Sequence, residues 1–116
     1  MREIKFRAWH PVNYQVPKAF MGYSCGDLEH FFRIYDGRDI MQYTGLKDSN
    51  GKEIYEGDIV HHLKYGGNYP VIYSCENTGY DLKTKRDSMH LCITCCPNLE
   101  VIGNIYENPE QLEVKP

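Results

Sequence analysis

The stretch Met41–Val60 constrains the fold of this chain more than any other, because clear turn signals separate its short apolar runs. The run Asp48-Ser49-Asn50-Gly51 combines side chains that bond their own backbone with a glycine, which adopts positive φ at little cost. An Asn-Gly pair between two structured runs is a strong hairpin signal. The stretch therefore predicts a tight hairpin, a second turn at Glu56-Gly57-Asp58, and a strand that starts at Ile59.

The opening Asp48-x-Asn50 is also typical of a calcium-binding loop, and the remaining positions of such a loop test that alternative. A calcium loop of this kind needs a glycine at its sixth position and an acidic ligand at its twelfth. Counted from Asp48, these positions hold Glu53 and Ile59, so the sequence favours a simple turn.

Length and composition indicate one small domain that spans residues 1–116. Hydrophobic residues make up 41% of the chain and charged residues 25%, and no apolar run approaches the roughly 18 residues of a membrane span. The start, Met1–Lys5, is charged and no apolar block follows it, so we expect no signal peptide and a cytoplasmic location. The formal net charge of -3 argues against broad binding to nucleic acid, which favours a basic face.

Residues 3–9 alternate between apolar and polar side chains, which predicts a β-strand with one buried face. The apolar face carries Ile4, Phe6 and Ala8, and the opposite face carries Lys5, Arg7 and Trp9. A second short strand is expected around residues 18–21.

The segment 27–35 fits two structures. Leu28, Phe31, Phe32 and Tyr35 have the spacing of one helix face, and Asp27 suits the N-cap position. The aromatic and β-branched residues at the end of this segment fit a strand nearly as well. We favour the helix and keep the strand as the alternative.

The second half of the chain reads as short strands separated by turns, at 58–65, 69–75, 80–84, 89–96 and 99–105. Gly103 is expected at a bulge or a close approach of two backbones. Asn108-Pro109 is expected to begin a short helix, with Asn108 as its N-cap. The pattern predicts a mainly β fold, either a small SH3-like barrel or a curled antiparallel sheet, with one or two short helices.

Two of the five cysteines form the pattern Cys92-x-x-Cys95, which has the spacing of half a zinc site. A second pair at similar spacing is absent, and in an extended strand these two side chains point to opposite faces. Packing in the core is therefore favoured, and zinc at Cys92 and Cys95 remains the alternative. We expect neither a bound metal nor a cofactor.

The titratable residues show no pattern that indicates catalysis. Cysteine and histidine are both present, but no nucleophile motif accompanies them, and no spacing singles out an acid and a base among the carboxylates. His61 and His62 are adjacent on a predicted strand, so one is expected to be exposed and the other partly buried. The sequence therefore predicts a protein that is not an enzyme.

Three segments carry a family resemblance. Residues 1–9, Met-Arg-Glu-Ile-Lys-Phe-Arg-Ala-Trp, look like the opening of YopX-like phage proteins. The stretch Met41–Val60 resembles the central signature of that family, and 100–110, Glu-Val-Ile-Gly-Asn-Ile-Tyr-Glu-Asn-Pro-Glu, resembles its closing motif. The resemblance implies a protein encoded by a bacteriophage or prophage, with a small, mainly β, self-associating domain. It brings no catalytic residues.

These features support two hypotheses of different classes. The first is a non-enzymatic interaction module that binds a host or phage protein, with Trp9 and Tyr43 as anchors if they lie exposed together. The second is a nucleic-acid-binding barrel in which Arg2, Lys5, Arg7 and Trp9 form the binding stripe. The acidic charge balance favours the first. We expect no membrane partner, and exposed edge strands make a homo-oligomer the expected assembly.

Overall fold

The computed structural model describes residues 4–12, 18–74, 79–84, 88–91 and 96–112. The fold is mainly β, as the sequence predicts, with two antiparallel sheets of which one is a curled half-barrel. The strands are β1 (Phe6–His10), β2 (Phe20–Tyr23), β3 (Asp39–Lys47), β4 (Glu53–Tyr55), β5 (Asp58–His62), β6 (Asn68–Ser74), β7 (Gly79–Lys83), β8 (Ser88–His90) and β9 (Leu99–Asn104). The helices are α1 (Leu28–Ile34) and two 3-10 helices, Cys96–Asn98 and Pro109–Leu112.

The chain divides into two compact units, Met1–Tyr43 and Thr44–Pro116. Strand β3 begins in the first unit and ends in the second, where β4 is its neighbour. The expectation of a single domain stays a prediction. No helix in the described ranges is long and apolar enough to cross a membrane.

In the first unit, β1 lies between β2 and β3, and it is antiparallel to both. The expectation that β1 buries only one face is wrong. Its neighbouring residues Arg7 and Ala8 point to opposite faces, yet only 3% of Arg7 and 0% of Ala8 is exposed. Ile4, assigned to the buried face, is 61% exposed. The low exposure of Arg7 and Ala8 shows that both faces of β1 are covered at these positions, whereas Ile4 precedes the first paired residue of the strand.

Helix α1 confirms the helical interpretation of 27–35. The Asp27 carboxylate accepts a hydrogen bond from the backbone N–H of His30, 3.0 Å away, which satisfies one of the free donors of the first turn. Phe31 is the buried residue of the helix, and its ring packs on that of Tyr35 at a centroid distance of 4.8 Å. The Tyr35 side chain occupies the space above Gly22 where any other residue would have its Cβ.

In the second unit, the curled sheet has the strand order β8-β7-β6-β5-β9. A core of aliphatic residues with one cysteine packs on this sheet, with contributions from β5, β6, β7 and β9 and from residues outside the sheet. The buried members of this core are Ile54, Val60, Val71, Leu82, Leu91, Cys96, Leu99 and Val101.

The β5–β9 pairing contains the irregularity expected near Gly103. Ile59 pairs with Gly103 and Val60 with Val101, so β9 has one residue more than β5 at this point, which is a β-bulge. A Cβ at Gly103 would overlap the side chain of Asn108, so this glycine also permits a close approach.

The predicted hairpin between β3 and β4 is present, and Asp48 organises its turn. Oδ1 of Asp48 accepts hydrogen bonds from the backbone N–H groups of Asn50 and Lys52, each at 2.9 Å. Oδ2 accepts a hydrogen bond from the N–H of Val101 on β9 at 2.8 Å, and the N–H of Ser49 donates to the carbonyl of Leu99 at 2.8 Å. The turn therefore binds the outer edge of β9 in the way that a further strand would.

Several predicted boundaries need correction. Strand β5 ends at His62 rather than at 65, because His62 accepts hydrogen bonds from the turn that follows it. The strand predicted over 89–96 ends at His90, and Cys96 begins a 3-10 helix. The C-terminal helix is a 3-10 helix, and the Asn108 side chain accepts from the N–H of Asn104 instead of capping it.

We expect Asp48→Ala to lower the free energy of unfolding by about 3 kcal/mol. The substitution removes a buried carboxylate and leaves backbone N–H groups of the turn and of β9 without their hydrogen-bond acceptor. Urea denaturation followed by circular dichroism measures the change. The control is Asp36→Ala at an exposed turn position, which should change stability by no more than about 0.5 kcal/mol. Equal effects of the two substitutions would refute the role of Asp48.

A second prediction concerns the first unit. Gly22→Ala should destabilise the protein by about 2 kcal/mol, because the new methyl group overlaps the Tyr35 ring. The double variant Gly22→Ala with Tyr35→Leu should show a favourable coupling in a double-mutant cycle measured by urea denaturation. Strictly additive effects would show that Tyr35 does not occupy the space above Gly22.

Candidate binding site

The four residues predicted as binding residues lie in the first unit, and two of them touch. The Lys5 ammonium lies 5.2 Å from the centroid of the Tyr43 ring, and the Tyr43 N–H donates to the Lys5 carbonyl. Tyr43 is 4% exposed and Arg7 3%, whereas Lys5 and Trp9 are half-buried. Lys5 and Trp9 are therefore the members of this group whose side chains are partly accessible to a partner. Their role in binding stays a prediction.

The predicted zinc ligands Cys92 and Cys95 lie outside the described residues, as does Arg2. Cys25 is an exposed free thiol, and Cys96 is a buried one within the core. Within the described ranges, no group of His, Cys, Asp and Glu side chains comes together as a set of metal ligands.

A pocket of about 570 Å³ opens on the second unit, and sequence reasoning did not find it. We call it the tyrosine pocket. Its lining residues are Tyr65, Gly66, Gly67, Asn68, Tyr69, Pro70, Lys83, Thr84, Met89 and Leu112. They come from the β5–β6 turn, the start of β6, the β7–β8 end of the sheet, and the C-terminal 3-10 helix.

Side-chain hydrogen bonds hold the walls of the tyrosine pocket in place. The Asn68 amide donates to the carbonyl of Gln111 at 2.8 Å, which ties the C-terminal 3-10 helix to β6. The same amide's Oδ1 lies 2.8 Å from Nδ1 of His61. The Tyr69 hydroxyl donates to the Gly66 carbonyl at 3.1 Å. The pocket is thus formed by groups whose positions are already fixed.

The floor of the tyrosine pocket continues into the hydrophobic core. Tyr69 and Met89 line the pocket and also pack against the buried core residues. Pro70 and Leu112 add further apolar surface. An apolar group that enters the pocket therefore leaves water for surroundings similar to a protein interior.

The rim carries the most exposed tyrosine of the described chain, and a buried histidine holds it. Tyr65 is 71% exposed, but its ring stacks on that of His62 with centroids 4.5 Å apart. Nδ1 of His62, a residue only 5% exposed, accepts the backbone N–H groups of Lys64 at 3.2 Å and Tyr65 at 3.0 Å. The Lys64 ammonium lies 5.6 Å from the Tyr65 ring centroid. Tyr65 is therefore an exposed aromatic side chain held in a fixed position.

The charged group among the lining residues is Lys83, which is exposed at the end of β7. The ion pairs Arg33–Glu29 and His90–Asp81 do not involve it. None of the described lining residues carries a carboxylate. Among the described residues, the lining therefore presents a positive charge, on a chain whose formal net charge is -3.

A serine, a histidine and a buried aspartate meet on β7 and β8, but their order differs from a catalytic relay. The Ser88 hydroxyl donates directly to Oδ2 of Asp81 at 2.9 Å, and Nδ1 of His90 lies 3.5 Å from Oδ1. In a catalytic triad the histidine stands between the hydroxyl and the carboxylate. Here the serine is bonded to the carboxylate itself, so the histidine does not activate it in this geometry.

Comparisons with known proteins complete the description. A family model described as "YopX protein" matches residues 8–113. A solved structure titled "Crystal structure of protein EF1440 from Enterococcus faecalis" is similar to this chain, with a TM-score of 0.63 and 25% sequence identity. The match covers 97% of this chain and 100% of that chain. Among curated proteins, no match was found.

The position of Tyr65 yields a prediction. His62→Phe keeps an aromatic ring beneath Tyr65 but removes the acceptor of the Lys64 and Tyr65 N–H groups. Hydrogen exchange of these amides should become about fivefold faster, since each loses a hydrogen bond worth about 1 kcal/mol. The amides of Asn50 and Lys52 in the Asp48 turn serve as internal controls and should not change. Unchanged exchange at Tyr65 would show that His62 does not fix the rim.

Proposed function

We propose that this chain, which belongs to the YopX protein family, is a protein-interaction module of phage or prophage origin. It has no enzymatic activity and acts in the cytoplasm of the bacterial host. The observation that carries this proposal is the tyrosine pocket, with Tyr65 fixed at its rim. The partner is a host or phage protein that inserts an apolar side chain into the pocket.

The dimensions and composition of the tyrosine pocket support this function. Its volume of about 570 Å³ lies within the range of about 300–1,000 Å³ that is usual for ligand sites. Tyrosine and methionine are enriched at protein interfaces, and the pocket presents Tyr65, Tyr69 and Met89. The pocket loses little conformational freedom when a partner binds, because its walls are already hydrogen-bonded.

Self-association is a further part of the proposal. Strand β8 lies at the end of the sheet order and pairs with β7 on one side. The unpaired backbone N–H and C=O groups of an exposed edge strand can pair with another copy of a chain. Light scattering behind size exclusion, over a range of protein concentrations, measures the number of copies.

Nucleic-acid binding is the second candidate function, and one observation favours it. Lys64 lies over the ring of the exposed Tyr65, a pairing that suits a stacked base beside a phosphate. The formal net charge of -3 opposes it, because single-stranded nucleic acid is usually bound in a positively charged groove. Fluorescence anisotropy with labelled oligothymidylate at low salt tests this candidate.

Site-specific photocrosslinking tests the proposed function. A photoreactive benzoylphenylalanine in place of Tyr65 should crosslink a defined protein partner in bacterial host cells, and the crosslink should survive nuclease treatment. The matched control places the same residue at Tyr73, a tyrosine on β6 that is 48% exposed and does not line the pocket. Position 73 should not crosslink the same partner.

Two results would contradict the proposal. The same crosslinks at positions 65 and 73 would show that contact is not specific to the pocket. Crosslinks at position 65 that disappear with nuclease would favour the nucleic-acid candidate instead.

A further inference from the structure

We propose that the tyrosine pocket binds an acidic peptide segment of its partner, with a large apolar or aromatic side chain in the pocket and a neighbouring carboxylate paired with Lys83. This inference rests on the proposed function and adds the chemistry of the segment that is recognised. It uses the apolar lining, the charge at the mouth, and the fixed position of Tyr65.

The lining selects an apolar anchor. Tyr69, Pro70, Met89 and Leu112 form a largely apolar surface that joins the core, and Met89 adapts readily to different shapes of inserted side chain. A small polar or charged anchor would lose its hydration here and would find too few polar or charged groups to replace the water. A large aliphatic or aromatic side chain fits both the volume and the chemistry of the pocket.

The charge at the mouth selects a carboxylate beside that anchor. Lys83 belongs to the lining, and its ammonium group takes no part in the ion pairs Arg33–Glu29 and His90–Asp81. The ammonium group of Lys64 lies over the ring of Tyr65, which lines the same pocket. Because the described lining residues carry no carboxylate, an acidic segment meets the positive charge of Lys83 there, whereas a basic segment meets like charge.

The fixed rim favours an ordered peptide contact over a loose one. Tyr65 offers its ring at almost no cost in side-chain entropy, because His62 already holds the ring and the backbone of the turn. Its exposed hydroxyl remains available to the backbone of a bound peptide. A concave pocket whose described lining residues include one lysine suits one anchored side chain better than a track of successive phosphates.

Selection from a random peptide library, displayed on phage and captured by the purified full-length chain, tests this inference. Enriched peptides should share an aromatic or large aliphatic residue close to Asp or Glu. Replacing that apolar residue by Ala in a synthetic copy should weaken binding about tenfold, as measured by fluorescence anisotropy. Enrichment of basic peptides, or no enrichment at all, would overturn the inference.

Reversing the charge of Lys83 tests whether this residue recognises the acidic part of the peptide. Lys83→Glu should weaken the selected acidic peptide about tenfold, and should bind a copy with Lys in place of its acidic residues better than the natural chain does. The matched control, Lys47→Glu, makes the same change at an exposed position of β3 away from the pocket, and should leave both affinities unchanged. Equal losses in the two variants would show a general charge effect and overturn the role of Lys83.

The results also separate this inference from the proposed function. A nuclease-resistant crosslink at position 65 together with a library that yields no acidic peptides leaves the interaction module intact and overturns the peptide chemistry. If position 65 gives no nuclease-resistant crosslink and the library yields no acidic peptides, the interaction module and the peptide chemistry are both overturned. Tighter binding of oligothymidylate than of any selected peptide overturns both and assigns the rim to nucleic acid.

Discussion

The buried carboxylate of Asp48 is the interaction on which the second unit depends most. It binds the N–H groups of its own turn and that of Val101, which lies 53 residues further along the chain. Together with the Ser49 N–H, which donates to Leu99, it occupies the outer edge of β9. An edge strand that is covered in this way cannot extend the sheet by pairing with another chain. One aspartate therefore joins a local turn to the closure of the curled sheet.

Structure that depends on neighbouring residues could be predicted from the sequence, and structure that depends on distant ones could not. The Asn-Gly turn and the Asp27 cap are set by side chains that bond the adjacent backbone, so their residue types identified them. The reach of Asp48 to β9 has no local signal. The burial of Arg7 was missed for the same reason, because alternation along one strand does not show which distant residues cover its polar face.

The tyrosine pocket follows the same rule. Its lining comes from separate segments that are brought together by the pairing of β6, β7 and β8 and by the hydrogen bond from Asn68 to Gln111. Neither Gly66-Gly67 nor Lys83 carries a local signal of such a site. The turn at the rim was also unexpected, because the His62 ring accepts the N–H groups that an aspartate or serine accepts in most such turns. The binding surface is therefore a property of the assembled sheet.

Amide chemical-shift changes in the full-length chain on addition of its crosslinked partner give the most direct test of the binding site. We expect the largest changes at Gly66, Gly67 and Lys83, which line the pocket. Small changes are expected around Lys5 and Trp9 in the first unit. Changes concentrated at Lys5 and Trp9, with Gly66 and Gly67 unaffected, would contradict the assignment of the tyrosine pocket as the binding site.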